Sequence, residues 1–229
     1  MNPQSIQDLL QKFTLFKDLS NEEMSSIVEL AKSRRYKKGT HIFFQGDTLT
    51  NVYFIDQGAV KIYKTDIHGK EQIVNVLSPG QMFPHQGFFR QDNCPANVEV
   101  AEDAKLIYIP IHLFEIFLYN NPGTSVKLFK VLGDLIVDLQ KRLEEQILHN
   151  TFEQIIMLIL RLLDTHGTKI DEDSFILSTH FTNQELANMI GSSRETVSRT
   201  LSQLKKLKVV TTNDKGDLVF NKKGLEELF

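Results

Sequence analysis

A chain of 229 residues, 41% hydrophobic and 24% charged, has room for one or two globular domains with apolar cores. Its 26 basic side chains against 29 acidic ones leave a net charge of −3, which excludes binding nucleic acid through bulk charge and requires any such site to be a local patch. The single cysteine, Cys94, excludes an internal disulfide framework, a cysteine-rich zinc site and a four-thiolate iron–sulfur cluster, and suits a reducing cytosol.

The opening Met1-Asn2-Pro3-Gln4 has neither a basic n-region nor an apolar h-region, and no apolar run approaches roughly 18 residues. The expectation is therefore a cytoplasmic protein that does not enter a membrane. Ile6, Leu9, Leu10 and Phe13 share one helical face, and Met24, Ile27, Val28 and Ala31 repeat the pattern after Asn21-Glu22-Glu23. From Lys37 to about Pro110 the character changes. Runs at 41–44, 52–55, 59–63, 72–77 and 105–109 are rich in β-branched and aromatic residues. Turn signals separate them: Gln45-Gly46-Asp47, Asp56-Gln57-Gly58, His68-Gly69-Lys70, Ser78-Pro79-Gly80 and Asn93-Cys94-Pro95. Short strands at this spacing predict an antiparallel β-roll.

After Asn121-Pro122-Gly123 the period becomes helical. Phe129, Leu132, Ile136, Leu139 and Leu143 step by 3, 4, 3 and 4, an a/d seam that Leu128 and Leu135 widen. One reading is a helix packed on its own sheet. The other is a dimer coiled coil, for which the length of roughly 39 Å between residues 124 and 149 and the charged flanks Asp138, Lys141, Arg142, Glu144 and Glu145 speak. From Thr151 the pattern predicts a helix over 152–163, an acidic loop, two short helices, and a strand pair at 209–212 and 218–220. The predicted organisation is a β-roll with short N-terminal helices over 1–121, a long dimerisation helix over 122–150 and a third domain over 151–229, an α+β fold.

The richest stretch is 182–208. Thr182-Asn183-Gln184-Glu185 is a capping box that starts one helix, and Gly191 allows a left-handed turn at its end. Ser192-Ser193-Arg194-Glu195 opens a second helix with a second capping box, and Val197, Leu201 and Leu204 form its apolar stripe. Small Ala187, Gly191 and apolar Val197 sit where a helix-turn-helix needs close approach, a tight bend and a core anchor. Arg194, Glu195, Ser198 and Arg199 share an exposed face: arginine chelates guanine O6/N7 and glutamate accepts from cytosine N4. Thr182, Ser192, Ser193 and Thr196 lie at helix starts, where hydroxyl and N–H groups suit phosphates. Five basic and two acidic side chains over 183–208 give a local net of +3, the patch that the overall charge conceals. The strand pair after this helix reads as a wing beside the DNA backbone.

At this level the chain resembles the Crp/Fnr family of bacterial transcription regulators. Gly46-Asp47, Tyr53-Phe54-Ile55, Gly58-Ala59-Val60-Lys61 and Pro79-Gly80-Gln81 are similar to the family's roll signature, and Ser193-Arg194-Glu195-Thr196-Val197-Ser198-Arg199 to its recognition-helix motif. The resemblance implies a cyclic-nucleotide-binding-like jelly roll, a long dimer helix and a winged helix-turn-helix. It further implies that Glu195 and Arg199 read bases, with Arg194 matching the cAMP-receptor branch and Ser198 the Fnr branch. The implied partners are an inverted-repeat double-stranded DNA site, a second copy of the chain as homodimer, and RNA polymerase.

In cAMP-binding members a Gly-Glu-Leu turn holds the ribose and an Arg-Ser pair the cyclic phosphate. Here the candidate effector pocket is Phe83, His85, Gln86, Pro95 and Ala96. His85 replaces the ribose carboxylate, and Pro95, with neither charge nor N–H, replaces the arginine. A buried phosphate without a cation is strongly penalised, so no cAMP is expected. Pro95-Ala96 resembles the Fnr branch, yet its cysteine cluster is absent, so no iron–sulfur cluster is expected either. Other sensors remain open: Cys94 as a thiol, His85, His41 or His68 as ligands of a metal or haem, and Phe83, Phe88 and Phe89 as the lining of an apolar pocket rather than core. The reading from another class is a cupin-like β-roll metalloenzyme or a small-ligand-binding protein, and the enzyme needs clustered His and Glu on paired strands. His41, His68 and His85 lack that spacing, so no enzyme and no metal site are expected.

Overall fold

The computed structural model describes residues 3–90 and 93–228; the expectation about a leader at Met1 and Asn2 lies outside them. Contacts divide the chain into two compact units, one built on residues up to 69 with 74–138, the other mainly on 139–228. Among the described residues no helix is long and apolar enough to cross a membrane.

In the first unit, helices α1 (Pro3–Leu10) and α2 (Asn21–Leu30) precede six strands: β1 (Lys32–Tyr36), β2 (His41–Phe43), β3 (Asn51–Thr65), β4 (Glu71–Leu77), β5 (Met82–Phe83) and β6 (Asn97–Pro110). Ser20 caps α2 in a reciprocal box with Glu23, whose backbone N–H donates to Ser20 Oγ (3.3 Å) while its carboxylate accepts from Ser20 N (2.7 Å). The strands form a sheet in the order β1-β6-β3-β4, with β2 on β6 and β5 on β3. Helix α3 (Ile111–Asn120) comes directly after β6, and α4 (Pro122–Leu148) is the long helix.

Continuous apolar runs such as Val52–Ile55 arise because the sheet is covered on both faces. Val52, Phe54, Ile107 and Ile109 join a cluster with α1, α2 and α3, around Phe13, Phe16 and Phe114. Their neighbours Tyr53, Ile55, Ala104 and Leu106 point the other way, into the roll, with Val60, Leu77, Phe83, Val98 and Val100.

Three local expectations need correction, and one helix, α3, is not foreseen by the pattern. Asp56-Gln57-Gly58 does not end a strand. β3 runs through it, and the register passes from Ile55↔Leu106 to Gln57↔Lys105, leaving Asp56 as the extra residue of a bulge. Gly58 is needed there: it sits at φ +80°, and a Cβ would run into the Asp103 carbonyl oxygen and the Ala104 Cα. Strand structure begins at Lys32, before Lys37, and the last strand begins at Asn97. Its early half carries Glu99, Glu102 and Asp103, polar residues that hide its strand character from a hydrophobic pattern. The α3 helix is apolar nearly all round (IHLFEIFLYN), so its period is masked.

The bulge turns Asp56 inward. Its side chain is 1% exposed, with Lys105 Nζ 2.9 Å from Oδ2 and Lys12 Nζ 3.4 Å from Oδ1. The Lys105 contact is an ion pair rather than an aligned hydrogen bond.

The second unit holds α5 (Thr151–His166), β7 (Gly167–Lys169), β8 (Ser174–Leu177), α6 (Asn183–Ile190), α7 (Arg194–Lys206), β9 (Val210–Thr212), β10 (Leu218–Asn221) and α8 (Lys222–Glu226). Asn150 caps α5 through a second reciprocal box with Glu153. The Arg161 guanidinium donates to Glu145 (2.7 Å), tying α5 to the end of α4. The acidic loop is the turn of a hairpin between β7 and β8, with Asp171 Oδ1 accepting from Asp173 N and Ser174 N. The sheet order β7-β8-β10-β9 makes the predicted strand pair half of a four-stranded sheet. Its core gathers Ile155, Ile159 and Leu163 with Ala187, Val197, Leu204 and Phe220.

Removing the Asp56 charge strands the Lys105 ammonium in a largely buried site. Asp56→Asn is expected to destabilise the protein by about 3 kcal/mol in urea unfolding, and adding Lys105→Met is expected to recover most of that loss. An unchanged midpoint for Asp56→Asn would count against this account of the bulge.

Candidate nucleic-acid interface

The helix pair α6–α7 is set by its corner. Thr182 Oγ1 accepts from Glu185 N (3.1 Å) and donates to Glu185 Oε2 (2.9 Å), while Thr182 N donates to the same oxygen (3.0 Å). Gly191 ends α6 in the left-handed region at φ +68°, with its N–H and that of Ser192 both donating to Ala187 O. Ala187 and Val197 are fully buried, so α7 seats on α6 through the smallest side chain in that stripe. The predicted second capping box is corrected: the cap is Ser193, not Ser192. Ser193 Oγ accepts from Thr196 N (3.1 Å), and Thr196, whose hydroxyl lies 2.9 Å from Ser193 Oγ, holds the position the box would give to glutamate. Glu195 is thereby released from capping and faces solvent.

Val197, Leu201 and Leu204 face inward, as does Thr200. The opposite face of α7 presents Arg194, Glu195, Ser198 and Arg199 together, as predicted from their spacing. Glu195 and Arg199 form an i,i+4 pair at 3.4 Å, each side chain 81% exposed. A pair so exposed is screened by water and held only weakly. Two further turns add Ser202, Gln203 and Lys206, which line one shallow hollow with Ser198 and Arg199. The sequence pattern singles out neither Ser202 nor Gln203. Their signal is the same four-residue step from Ser198 and Arg199, carried one turn further.

The hydroxyls of Thr182 and Ser193 are engaged in the caps, Thr196 is half-buried and Ser192 half-buried. At the wing, Asn213 Oδ1 accepts from Lys215 N and Asp217 N and closes the β9–β10 turn. That turn carries Asp214 and Asp217 beside Lys215, so its charge opposes phosphate.

The effector residues of the roll do not share one environment. Phe83 is fully buried and stacks on Tyr53 (5.0 Å, 8°), Ala96 is buried, His85 and Pro95 are half-buried, and Gln86 is exposed. The aromatic trio is divided: Phe83 belongs to the roll interior, Phe88 packs on Phe114 (5.7 Å) in the helical cluster, and Phe89 is exposed. Burial, reinforced by the nearby Asp47 carboxylate, pushes the Cys94 thiol up to about 11, so it stays protonated near neutrality and is a poor nucleophile. His41 Nε2 lies 3.0 Å from the Tyr63 hydroxyl and 3.9 Å from Glu99. His68 sits on the exposed β3–β4 turn. Among the described residues no group of three His, Cys, Asp or Glu side chains could hold a metal ion.

Burial pushes the His85 imidazole down to about 4 from 6.5. Between those values the unfolded chain carries the proton and the folded one does not, so stability falls as the pH drops through that window. From pH 7 to pH 5 the expected loss through His85 is about 2 kcal/mol, and His85→Gln is expected to remove it in paired urea titrations. Equal losses in the two proteins would contradict a neutral His85.

Two protein-family models match: the cyclic nucleotide-binding domain over residues 33–121 and the Crp-like helix-turn-helix domain over residues 153–228. Among curated relatives, the anaerobic regulatory protein of Bacillus subtilis is 22% identical over 208 residues, covering 90% of this chain and 87% of its own. The cyclic AMP receptor protein of Thermus thermophilus is 26% identical over 190 residues, covering 83% and 84%. Among solved structures, FixK2 from Bradyrhizobium japonicum shares the fold at a TM-score of 0.74, with 20% identity and coverage of 86% of this chain and 96% of that one. With a roll, a long helix and a Crp-like reading head in this order, the chain belongs to the Crp/Fnr family and is a transcription regulator of that type.

Proposed function

We propose that the protein binds an inverted-repeat operator as a homodimer, inserts one α7 helix into each major groove, and does so without cAMP or an iron–sulfur cluster. The observation that carries this reading is the α7 face. Three turns of base-reading chemistry lie on one exposed side of a helix whose other side is wholly committed to the core. Phe129, Ile136, Leu139 and Leu143 support the dimer: all four are exposed on the single chain, although they repeat at the spacing of a coiled-coil seam. Leu132 packs partly against the first unit's own core, so the helix serves its sheet near its start and offers its apolar stripe further along.

Independence from cAMP is supported by the effector segments. Residues 83–89 and 94–97 supply no arginine or lysine, and His85 is neutral near pH 7. An anionic cyclic phosphate held there would lack a cation. Contact with RNA polymerase and a cytoplasmic location accord with the regulator reading.

Selection of sites from random DNA, run aerobically and anaerobically, is expected to return an inverted repeat whose half-site is the same in both. In gel-shift titrations on that site, Arg199→Ala is expected to cost about 1–3 kcal/mol of specific binding. Saturating cAMP is expected to leave the affinity unchanged. Unaltered binding by Arg199→Ala would sink the assignment of α7. Introducing charge into the seam with Ile136→Glu and Leu139→Glu is expected to yield a monomer by sedimentation and to weaken operator binding by at least about tenfold; a dimeric double variant would place the interface elsewhere.

A further inference from the structure

The outward face of α7 does not end at Arg199. A step of four residues advances a helix by about 6 Å and turns it by roughly 40°, so Gln203 stands one turn beyond Arg199 on nearly the same side. Both line the shallow hollow that Ser198, Ser202 and Lys206 complete. The three side chains of this third turn differ in what they have left to give. Ser202 has one hydroxyl proton, and it goes to the Ser198 carbonyl oxygen (2.9 Å) of its own helix. Lys206 carries donors only, on a flexible stem, which suits a phosphate better than a base edge. Gln203 carries a carbonyl oxygen and an NH2 group side by side, and among the described residues its side chain has no hydrogen-bond partner. Two other glutamines of the same unit spend theirs on protein: Gln184 Nε2 donates to Asn188 Oδ1 (2.8 Å), and Gln154 Nε2 to the His149 carbonyl oxygen (2.8 Å). The backbone under Gln203 is firmly held. Its carbonyl oxygen accepts from Leu207 N (3.0 Å), and its neighbour Leu204 is fully buried.

We infer that Gln203 is a further base-reading residue, specific for an adenine about one to two base pairs from the base that Arg199 meets. The inference rests on the DNA-binding reading of α7 and names a determinant of its specificity outside the Arg194–Arg199 cluster. Hydrogen-bond chemistry selects the base. In the major groove adenine presents an acceptor, N7, beside a donor, the N6 amino group, and the glutamine NH2 and carbonyl oxygen meet them in two parallel bonds. Guanine presents two acceptors, N7 and O6, which leaves the glutamine oxygen facing an acceptor. Thymine offers one acceptor beside a methyl group, and cytosine one donor, so neither takes both halves of the amide. Spacing selects the position: about 6 Å along the helix, against a rise of roughly 3.4 Å for each base pair, is one to two steps. The shared hollow is the third ground. A base edge taken by Arg199 brings its neighbour in the stack to the side of the hollow that Gln203 lines. The buried stripe of Leu201 and Leu204 holds Gln203 on the same rigid element as Arg199, as a base-specific contact requires.

The test is competition binding of the full-length protein on the selected operator, with each base pair replaced in turn and symmetrically in both half-sites. Arg199→Ala marks the position that Arg199 reads, as the one whose preference it levels. One or two pairs from that position, the unaltered protein is expected to prefer adenine about tenfold over the other bases. Gln203→Ala is expected to level this preference and to keep those at the remaining positions, which also certifies its fold. Gln203→Glu is expected to move the preference to cytosine, whose N4 amino group donates to a carboxylate. If the unaltered protein shows no adenine preference there, or Gln203→Ala keeps every preference, the inference falls while the operator reading stands. Gln203→Ala weakened alike on all sequences assigns Gln203 to a phosphate and overturns the inference as well. So does a Gln203→Glu variant that gains nothing for cytosine. An unaltered protein that selects no operator, or an Arg199→Ala variant that binds it as well as the unaltered protein, overturns the reading of α7 and this inference together.

Discussion

The antiparallel ladder between β3 and β6 is the constraint on which the first unit depends. It runs from Asn51↔Pro110 to Tyr63↔Asn97, and every other strand of that sheet hydrogen-bonds to one of these two. Because side chains alternate across a ladder, its two faces serve two different cores, one against the helices and one inside the roll. A slip of one residue would exchange Val52 and Phe54 with Tyr53 and Ile55 and empty both cores together. The bulge at Asp56 and the close approach of Gly58 to the Asp103–Ala104 backbone pin the register against such a slip. The ladder also places the helices after it: Ile111 N donates to Thr50 O (2.9 Å), fixing the start of α3 beside the start of β3. Asn121 Nδ2 and Ser125 Oγ then donate to carbonyls of α3 and turn the chain into α4.

The second unit solves a different problem, presenting polar groups on a helix that must itself be held firmly. α7 has an inward stripe of Val197, Thr200, Leu201 and Leu204, and its orientation is set by the Gly191 corner. What remains outward is rich in arginine, glutamate, serine and glutamine, with no apolar residue to bury against protein. Glu195 and Arg199 pair across one turn, both of them exposed to solvent. Their mutual attraction is small in water.

Several of these features are legible from residue order because they depend on neighbours in the chain. Caps, the left-handed Gly191 turn and the face shared by Glu195, Ser198 and Arg199 involve separations of three to five residues. The apolar periods of α2, α5 and α7 are likewise local. Where residue order misleads, the deciding contact is distant. Asp56-Gln57-Gly58 has the composition of a turn, and only pairing with β6, some 50 residues away, makes it a bulge within one strand. The polar first half of β6 and the edge strand β1 are strands because partners sit beside them, not because of their own composition. The aromatic residues Phe83, Phe88 and Phe89 are close in sequence and read as one group, yet the fold sends them to the roll interior, the helical cluster and the surface.

By itself, then, the order of residues determined the class of fold, the reading head and its outward chemistry, since each rests on short-range turn geometry and helical periodicity. Tertiary structure decided which polar residues are spent inside the protein and which remain available: Asp56 and Lys105 inward against each other, Cys94 buried as a thiol, His85 neutral, and the cations of β1 left at an open edge. The physical reason is that desolvation and pairing depend on what lies across the sheet or the core, and residues far apart in the chain supply it.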